Sequence, residues 1–338
     1  MAQIHHKAIV PLALFGLVLG CAQLGGIGGG DSNLPNRGIV PYVVLEAGEP
    51  PSPYVLPSRL DENIRYLEPY GLVVDDTVYL YVEERNLDTG DSTIVLATST
   101  DKGVSFSEPQ PVLTTSDEAL LPLAGPSLSC GADTCLMALG YGNGEGFLFA
   151  EGPAEGPFTI VDKWTFEITE DYEQDGVASP SIIPHGDGYA VYYHSRADAD
   201  SPYVIARADL AETVTKVGVV LEGECPEDAA LFDCWEPDGV QHPDVRISTT
   251  AGGQTLVRMM YRGRLGTSGS FGFAASEDGL LFVKFFANPI FESEQTIFHP
   301  TNVQLDDRYL LFFTRSAPGN SHGVALAINA DGKPSEGF

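Results

Sequence analysis

The stretch SPSIIPHGDGYAVYYHSR, residues 179–196, contains the pattern that decides the fold. A proline precedes a short apolar run, a turn with Gly and Asp follows, and a second, strongly apolar run ends in His and Arg. Short runs rich in Val, Ile, Tyr and Phe that are bounded by Gly, Pro and Asp are typical of β-strands. The chain shows almost no helical periodicity, so the sequence predicts an all-β protein.

The same pattern occurs five times along the chain. The repeats begin at Glu68-Pro69, Gly125-Pro126, Ser179-Pro180, His242-Pro243 and His299-Pro300. Successive prolines are 57, 54, 63 and 57 residues apart. Second strands are predicted at Val78–Val82, Cys135–Leu139, Tyr189–Tyr193, Leu256–Tyr261 and Tyr309–Phe313. Third strands are predicted at Ile94–Thr98, Phe147–Ala150, Val204–Ala206, Gly272–Ala275 and Gly323–Ala327.

Five units of four strands each predict a five-bladed β-propeller with four-stranded antiparallel blades. The blades start near residues 68, 125, 179, 242 and 299. Proline suits the first residue of a strand, which can spare its N–H. The fifth unit is short, so we expect Gly38–Leu45 to supply its outermost strand and close the ring. A β-sandwich is the alternative, but sandwiches do not repeat with this period.

The N-terminal residues predict export and lipidation. Lys7 gives a basic start, and the apolar run Ala8–Leu19 is too short to span a bilayer as a helix. The run is followed by Gly20-Cys21, which resembles the lipobox of bacterial lipoproteins. Residues 1–20 are therefore predicted to be a signal peptide, with Cys21 as the lipid-anchored residue. The alternative is a plain signal peptide with an incidental Cys.

The segment after Cys21 is a predicted tether. Residues 21–36 contain the lipidated Cys and a Gly-rich stretch typical of flexible linkers, and the propeller is expected to occupy residues 37–338. Ala22, not Asp, follows the Cys, which favours the outer membrane within the cell envelope. We expect a monomer that contacts the membrane through its lipid anchor only.

The remaining four cysteines form two local pairs. Cys130 lies near Cys135, and Cys225 lies near Cys234. Two short-range disulfides fit an oxidising compartment, and free buried thiols are the alternative. Neither pair has the flanking His or Cys that a zinc site needs.

The chain is strongly acidic, with 47 acidic against 18 basic residues and a formal charge of −29. Such a surface repels nucleic acid and anionic membranes, so nucleic-acid binding is not expected. The acidic residues are spread along the whole chain. This distribution favours solubility outside the cytoplasm.

Three turns carry a resemblance to known propellers. Residues 99–106, STDKGVSF, match the Asp-box of sialidase-type propellers with Phe106 in the usual Trp position, and residues 276–282, SEDGLLF, are a shorter relative. Residues 154–158, AEGPF, are similar to the blade endings of glycoside hydrolase family 43. Over residues 63–330 the chain resembles the five-bladed glycoside hydrolases of families 43, 32 and 130. The resemblance implies a carbohydrate ligand.

Family 43 enzymes place an Asp before the first-blade proline, an Asp after the second-blade proline and a Glu near the third. The corresponding residues here are Glu68, Ser127 and Ala178-Ser179. Only Glu68 is suited to acid–base catalysis, so we expect a glycan-binding propeller that has lost most of its catalytic carboxylates. An active glycoside hydrolase that acts on an anionic glycan and a protein-interaction scaffold are the alternatives.

In a propeller, the starts of first strands and the ends of second strands share one rim around the axis. Candidate ligand-binding residues there, or on the long loop before the fourth unit, are Arg85, His194, Arg196, Trp235, His242, Asp244, Arg262, His299 and Arg315.

The types of these candidates suggest specific roles. Arg suits an anionic ligand, with bridges between blades as the alternative. Trp235 is expected to stack on a sugar or to cover its own loop. No cofactor is expected. His242 and His299 either bind a cation with Asp244 or form structural hydrogen bonds.

Overall fold

The computed structural model describes residues 42–44, 54–225, 234–250, 253–293, 295–306, 308–316 and 322–329. The predicted signal peptide at residues 1–20, the predicted lipid-anchored Cys21 and the tether to residue 36 lie outside the described residues. Within the described part, no helix is long and apolar enough to cross a membrane.

The described chain folds into five antiparallel sheets arranged as the blades of a propeller. It starts with β1 (Tyr42–Val44) and β2 (Leu56–Pro57), which both join the last blade. The first blade contains β3 (Ile64–Val74), β4 (Thr77–Asn86), β5 (Ser92–Ser99) and β6 (Gln110–Leu113). The second contains β7 (Ala124–Cys130), β8 (Cys135–Tyr141), β9 (Gly146–Gly152) and β10 (Thr159–Val161).

The other three blades follow in chain order. The third contains β11 (Val177–His185), β12 (Gly188–Ser195), β13 (Val204–Leu210) and β14 (Val214–Leu221). The fourth contains β15 (Val240–Thr249), β16 (Thr255–Leu265), β17 (Ser268–Ser276), β18 (Val283–Lys284) and β19 (Phe291–Glu292). The fifth contains β20 (Thr296–Gln304), β21 (Tyr309–Ser316) and β22 (His322–Asn329). Short 3₁₀ helices lie at Leu60–Glu62, Glu118–Leu120 and Asp171–Glu173.

The N-terminal strand closes the ring, as the sequence predicts. In the fifth blade, β1 pairs antiparallel with β22, and Tyr42 lies opposite Asn329. The strand β2 extends the same edge, with Leu56 opposite Val324. The strands that precede the first blade thus pair with the last blade, and their hydrogen bonds close the ring.

The proline of each repeat does not begin a strand, so that expectation is wrong. Each innermost strand starts earlier, and X-Pro (residue X and the repeat proline) lies at a bulge where the pairing register jumps, for example between Leu67 and Tyr70. The extra residue of a bulge makes no ladder bond, so the missing N–H of proline costs nothing there. Residue X is left-handed in all five blades: Glu68 (φ 51°), Gly125 (58°), Ser179 (50°), His242 (51°) and His299 (50°).

The residue after each repeat proline joins its blade to the next one around the axis. We call these five contacts the latch ring. In four of them a side-chain oxygen accepts a backbone N–H of the next blade: Ser127 from Ile182 (3.0 Å), Ser181 from Val245 (2.8 Å), Asp244 from Asn302 (2.8 Å) and Thr301 from Gly71 (3.2 Å). In the fifth, the Tyr70 hydroxyl donates to the Leu128 carbonyl at 2.6 Å.

Apolar side chains fill the spaces between neighbouring blades. Tyr81 packs in one cluster with Met137 of the second blade, and Phe312 of the fifth blade packs in another with first-blade residues. The fourth and fifth blades meet through Phe271 and Phe313, whose ring centroids are 5.6 Å apart. Large buried aromatic rings thus provide much of the apolar area that stabilises the ring of blades.

The Ser-Asp-Gly turns have the hydrogen bonds that their sequences suggest. Asp101 accepts the Ser105 N–H at 2.9 Å and the Ser105 hydroxyl at 2.6 Å, and these bonds lower the pKa of Asp101 to about 2. Gly103 adopts a φ of 87°, which this tight turn requires. Phe106 packs against Phe312 of the fifth blade, so the turn also seals a gap between blades.

Both predicted disulfides are present. Cys130 and Cys135 lie directly opposite each other and close the hairpin of β7 and β8. Cys225 and Cys234 are joined in the connection between the third and fourth blades.

The latch ring predicts a specific loss of stability. Replacing Ser181 with Ala leaves the buried Val245 N–H without an acceptor, which costs about 1–3 kcal/mol of unfolding free energy. The measurement is urea unfolding of the purified protein. Ser195→Ala is the control, because Ser195 is equally buried but its hydroxyl has no hydrogen-bond partner within the described residues. Equal losses in the two variants would contradict a structural role for the latch.

Candidate functional site

The left-handed X residues converge on the propeller axis. Together with the prolines and the latch residues they line a cavity of about 30 Å³, which has room for about two water molecules. Gly125 is the one X residue without a side chain. A Cβ at Gly125 would lie 2.8 Å from Oε2 of Glu68, so this glycine leaves the space that the Glu68 carboxylate occupies.

A polar network connects four of the side chains that line this cavity. The Ser179 hydroxyl lies 2.9 Å from Nδ1 of His242 and 3.1 Å from Nε2 of His299. The same Nε2 atom lies 3.1 Å from Oε1 of Glu68. His194 joins the network from the end of β12, where its Nδ1 accepts the His242 backbone N–H at 3.3 Å.

Two of the three histidines are held neutral. Burial, followed by the charge of His299 and those of Arg262 and Arg264, lowers the pKa of His194 to about 3. The same burial and neighbouring charges lower the pKa of His242 well below its ordinary value. Neutral imidazole accepts hydrogen bonds, which agrees with the bond that His194 accepts from the His242 backbone.

Two neighbouring glutamates of the first blade have pKa values that are shifted in opposite directions. Burial opposes ionisation of Glu68, but the charge and hydrogen bond of His299, with Arg85, outweigh it and lower the Glu68 pKa. Burial and the Glu68 charge raise the pKa of Glu83 to about 8, although Arg85 donates to Glu83 Oε1. Glu68 is 19% exposed and Glu83 is 0% exposed, so only Glu68 is accessible to a ligand.

The predicted arginines occupy different environments on the rim. Arg262 is buried, and its Nη1 donates to Gln241 at 2.8 Å. Burial and the charge of Arg264 lower the pKa of Arg262 to about 10. Arg196 pairs with Asp175 at 2.6 Å.

Two other predicted residues, Arg315 and Trp235, form no hydrogen bond with the polar network among the described residues. Arg315 is half-buried on β21, and its Nε has no hydrogen-bond partner among the described residues. Trp235 lies against Gly263 and Gly272, with its ring centroid 5.7 Å from that of Tyr261, so it covers the fourth blade.

Asp244 is placed differently from the expectation. Its carboxylate accepts the Asn302 N–H in the latch ring and pairs with Arg246 at 2.9 Å. It therefore does not join His242 and His299. No group of three or more His, Cys, Asp or Glu within the described ranges is placed to hold a metal ion.

Sequence reasoning did not select three residues that complete the site. Ser179 links two histidines, Glu83 adjoins Glu68, and the Tyr203 ring lies 5.5 Å from the His194 ring. Ser179 occupies the same X position as Glu68, so repeat position alone was a sufficient signal for it. The burial of Glu83 and the direction of Tyr203 depend on neighbouring blades and leave no local pattern.

Comparison with known proteins identifies the fold. No protein-family model matches the chain, and the search of curated proteins gives no match. One similar solved structure is a glycoside hydrolase, with a TM-score of 0.63, 14% identity, and coverage of 86% of this chain and 92% of that one. Another is an endo-1,4-β-xylanase from Bacteroides thetaiotaomicron (0.59, 14%, 78% and 90%). A thermostable family-43 glycoside hydrolase is also similar (0.57, 15%, 79% and 88%). The chain thus has a five-bladed propeller fold that resembles glycoside hydrolase structures.

The raised pKa of Glu83 predicts a pH-dependent stability. Between the ordinary value of 4.5 and about 8, the unfolded chain has released this proton and the folded protein retains it. The unfolding free energy contributed by Glu83 is therefore greatest at low pH and falls as the pH rises through this window. Glu83→Gln removes the ionisation, so its stability relative to wild type should increase from pH 5 to pH 8 in urea unfolding. A difference that is constant with pH would contradict the assignment.

Proposed function

We propose that this protein binds a glycan at the end of the propeller axis where Glu68 and the three histidines lie, without catalysing its hydrolysis. The observation that carries the proposal is the axial network, in which one accessible carboxylate lies beside His299, near two neutral histidines and a hydroxyl. Such groups donate and accept hydrogen bonds in fixed directions, which suits the hydroxyls of a sugar. The glycoside hydrolase-like fold supports the same class of ligand.

The number of accessible carboxylates favours binding over hydrolysis. Most glycosidases need two carboxyl groups that flank the scissile bond. Of the acidic residues that line the cavity, Asp244 is engaged in the latch ring, which leaves Glu68. Glu83 is fully buried and cannot contact a substrate.

Binding can be tested with a glycan array, followed by calorimetry of any hit. Glu68→Gln should weaken binding about tenfold or more, because a hydrogen bond to a charged group contributes about 1.5–3 kcal/mol. Glu108→Gln is the control, since Glu108 is exposed on the connection between β5 and β6. Equal affinity of the two variants would remove Glu68 from the site, and no binding to any glycan would overturn the proposal.

Hydrolysis is the second candidate, and one observation favours it. Glu68 is accessible and its pKa is lowered, as suits a catalytic base or nucleophile, whereas the buried Glu83 beside it does not contact a substrate. If the protein releases reducing sugar from a glycan, Glu68→Gln should abolish that activity and Glu108→Gln should retain it. Activity that survives in Glu68→Gln would exclude Glu68 as the catalytic carboxylate.

We also propose that the protein is anchored in the cell envelope through Cys21. The Gly-Cys sequence after the apolar run supports this, and the Gly-rich residues that follow would separate the propeller from the membrane. Mass spectrometry should find a diacylglyceryl-modified N-terminal Cys21 in the membrane fraction. Cys21→Ala should remove the protein from that fraction, and an unmodified Cys21 in wild type would contradict the proposal.

A further inference from the structure

Two arginines on one face of β16 have no carboxylate partner among the residues that the structure describes. Arg262 is buried, and its terminal nitrogens donate only to neutral acceptors: the side chain of Gln241 and the carbonyls of Thr267 and Ser268. Arg264 points to the same side of the strand because it follows by two residues. Within the part of the chain that the structure describes, neither arginine forms an ion pair.

The Arg264 guanidinium is held in place on one side only. Its Nε donates to the Gly266 carbonyl at 3.1 Å, and its Cζ lies 5.0 Å from the centroid of the Tyr203 ring. No acceptor among the described residues bonds the two terminal nitrogens. A guanidinium fixed by a carbonyl and an aromatic ring, with its terminal N–H groups open, is suited to bind a planar or tetrahedral oxyanion.

The surroundings make this unpaired charge unusual. The whole chain has 47 acidic residues and a net charge of −29, so carboxylates for pairing are abundant. The adjacent Asp238 uses its carboxylate to accept the Gly266 N–H at 2.5 Å. Arg196 also stacks on Tyr203, but Asp175 neutralises it. Burying an unpaired cation is costly, which favours a bound counter-charge.

The positive charge faces the axial network. Arg262 and Arg264 both act on His194 and His242, so their field reaches the centre of the site. Glu68 lies on the opposite side, in the first blade. A ligand at this end of the axis would therefore lie between negative charge on the first-blade side and positive charge on the fourth-blade side.

We propose that Arg264, together with the charge of the buried Arg262, forms an oxyanion subsite on the fourth-blade side of the axial network. The oxyanion is either the carboxylate of an acidic sugar in the bound glycan or a free inorganic phosphate. In the first case, the inference rests on the proposed glycan-binding function and specifies that the glycan is acidic. The charge asymmetry would then bind the ligand in one orientation, with its anionic group toward Arg264.

The test is calorimetric titration of the purified protein with three probes. They are an oligosaccharide that ends in a uronic acid, the same oligosaccharide with its carboxyl group reduced to an alcohol, and inorganic phosphate. Arg264→Gln should weaken binding of the anionic probe about tenfold or more. Arg264→Lys keeps the charge but loses the planar fork, so it should fall between Arg264→Gln and wild type.

Arg258→Gln is the matched control. Arg258 lies on the same strand, six residues before Arg264 and therefore about 20 Å away, and it bonds Tyr309. The substitution removes an equal charge at a site that is distant from the proposed subsite. This control should bind the anionic probe like wild type, and thermal melting should show that Arg264→Gln remains folded.

The outcomes separate this inference from the proposed function. Arg264-dependent binding of the acidic oligosaccharide supports both. Arg264-dependent binding of phosphate with no binding of either oligosaccharide supports the subsite and counts against a glycan ligand. Equal binding of the acidic and reduced oligosaccharides, unchanged in Arg264→Gln, overturns the subsite and leaves glycan binding intact. Absence of binding by all three probes overturns the subsite.

Discussion

The latch ring is the constraint on which the rest of the structure depends. In each blade, the side chain of the residue after the repeat proline bonds the backbone of the next blade, at the second residue after that blade's proline. All five innermost strands are therefore held at the same height along the axis. The bulge at each X-Pro then lies at one level. Because the X residues share that level, Glu68, Ser179, His242 and His299 meet at the centre even though they are far apart in sequence.

The same arrangement stores strain at the site. Four non-glycine X residues have a left-handed backbone, which costs about 1–3 kcal/mol for each residue held in a sparsely populated region. The bulge and the latch on the following residues compensate for this cost, because they fix the backbone on the C-terminal side. In return, the left-handed turn directs each X side chain toward the axis. A latch residue therefore helps to set the direction of the X side chains.

The repeat period allowed the blades, their strands and ring closure by a strand within Gly38–Leu45 to be predicted, because a period survives even where individual residues differ. The position of the proline was predicted wrongly, since a bulge and a strand start both tolerate a missing N–H. Asp244 and Trp235 were chosen for their residue types, but the Asp244 carboxylate bonds Asn302 of the fifth blade and the Trp235 ring packs on glycines of β16 and β17. These contacts join segments that are far apart in sequence, so no local pattern could indicate them.

The first blade departs from the symmetry of the ring, and this has a consequence for the site. Tyr70 is longer than the other latch residues, so its hydroxyl reaches the Leu128 carbonyl and donates to it. Arg246 donates to the same hydroxyl at 2.9 Å and to the Gly71 carbonyl at 3.0 Å, so it joins the fourth blade to the first across the ring. Its charge is balanced by Asp244. By contrast, Arg262 and Arg264 form no ion pair among the described residues. Both act on His194 and His242, so the fourth blade contributes positive charge on the side of the axis where the histidines lie.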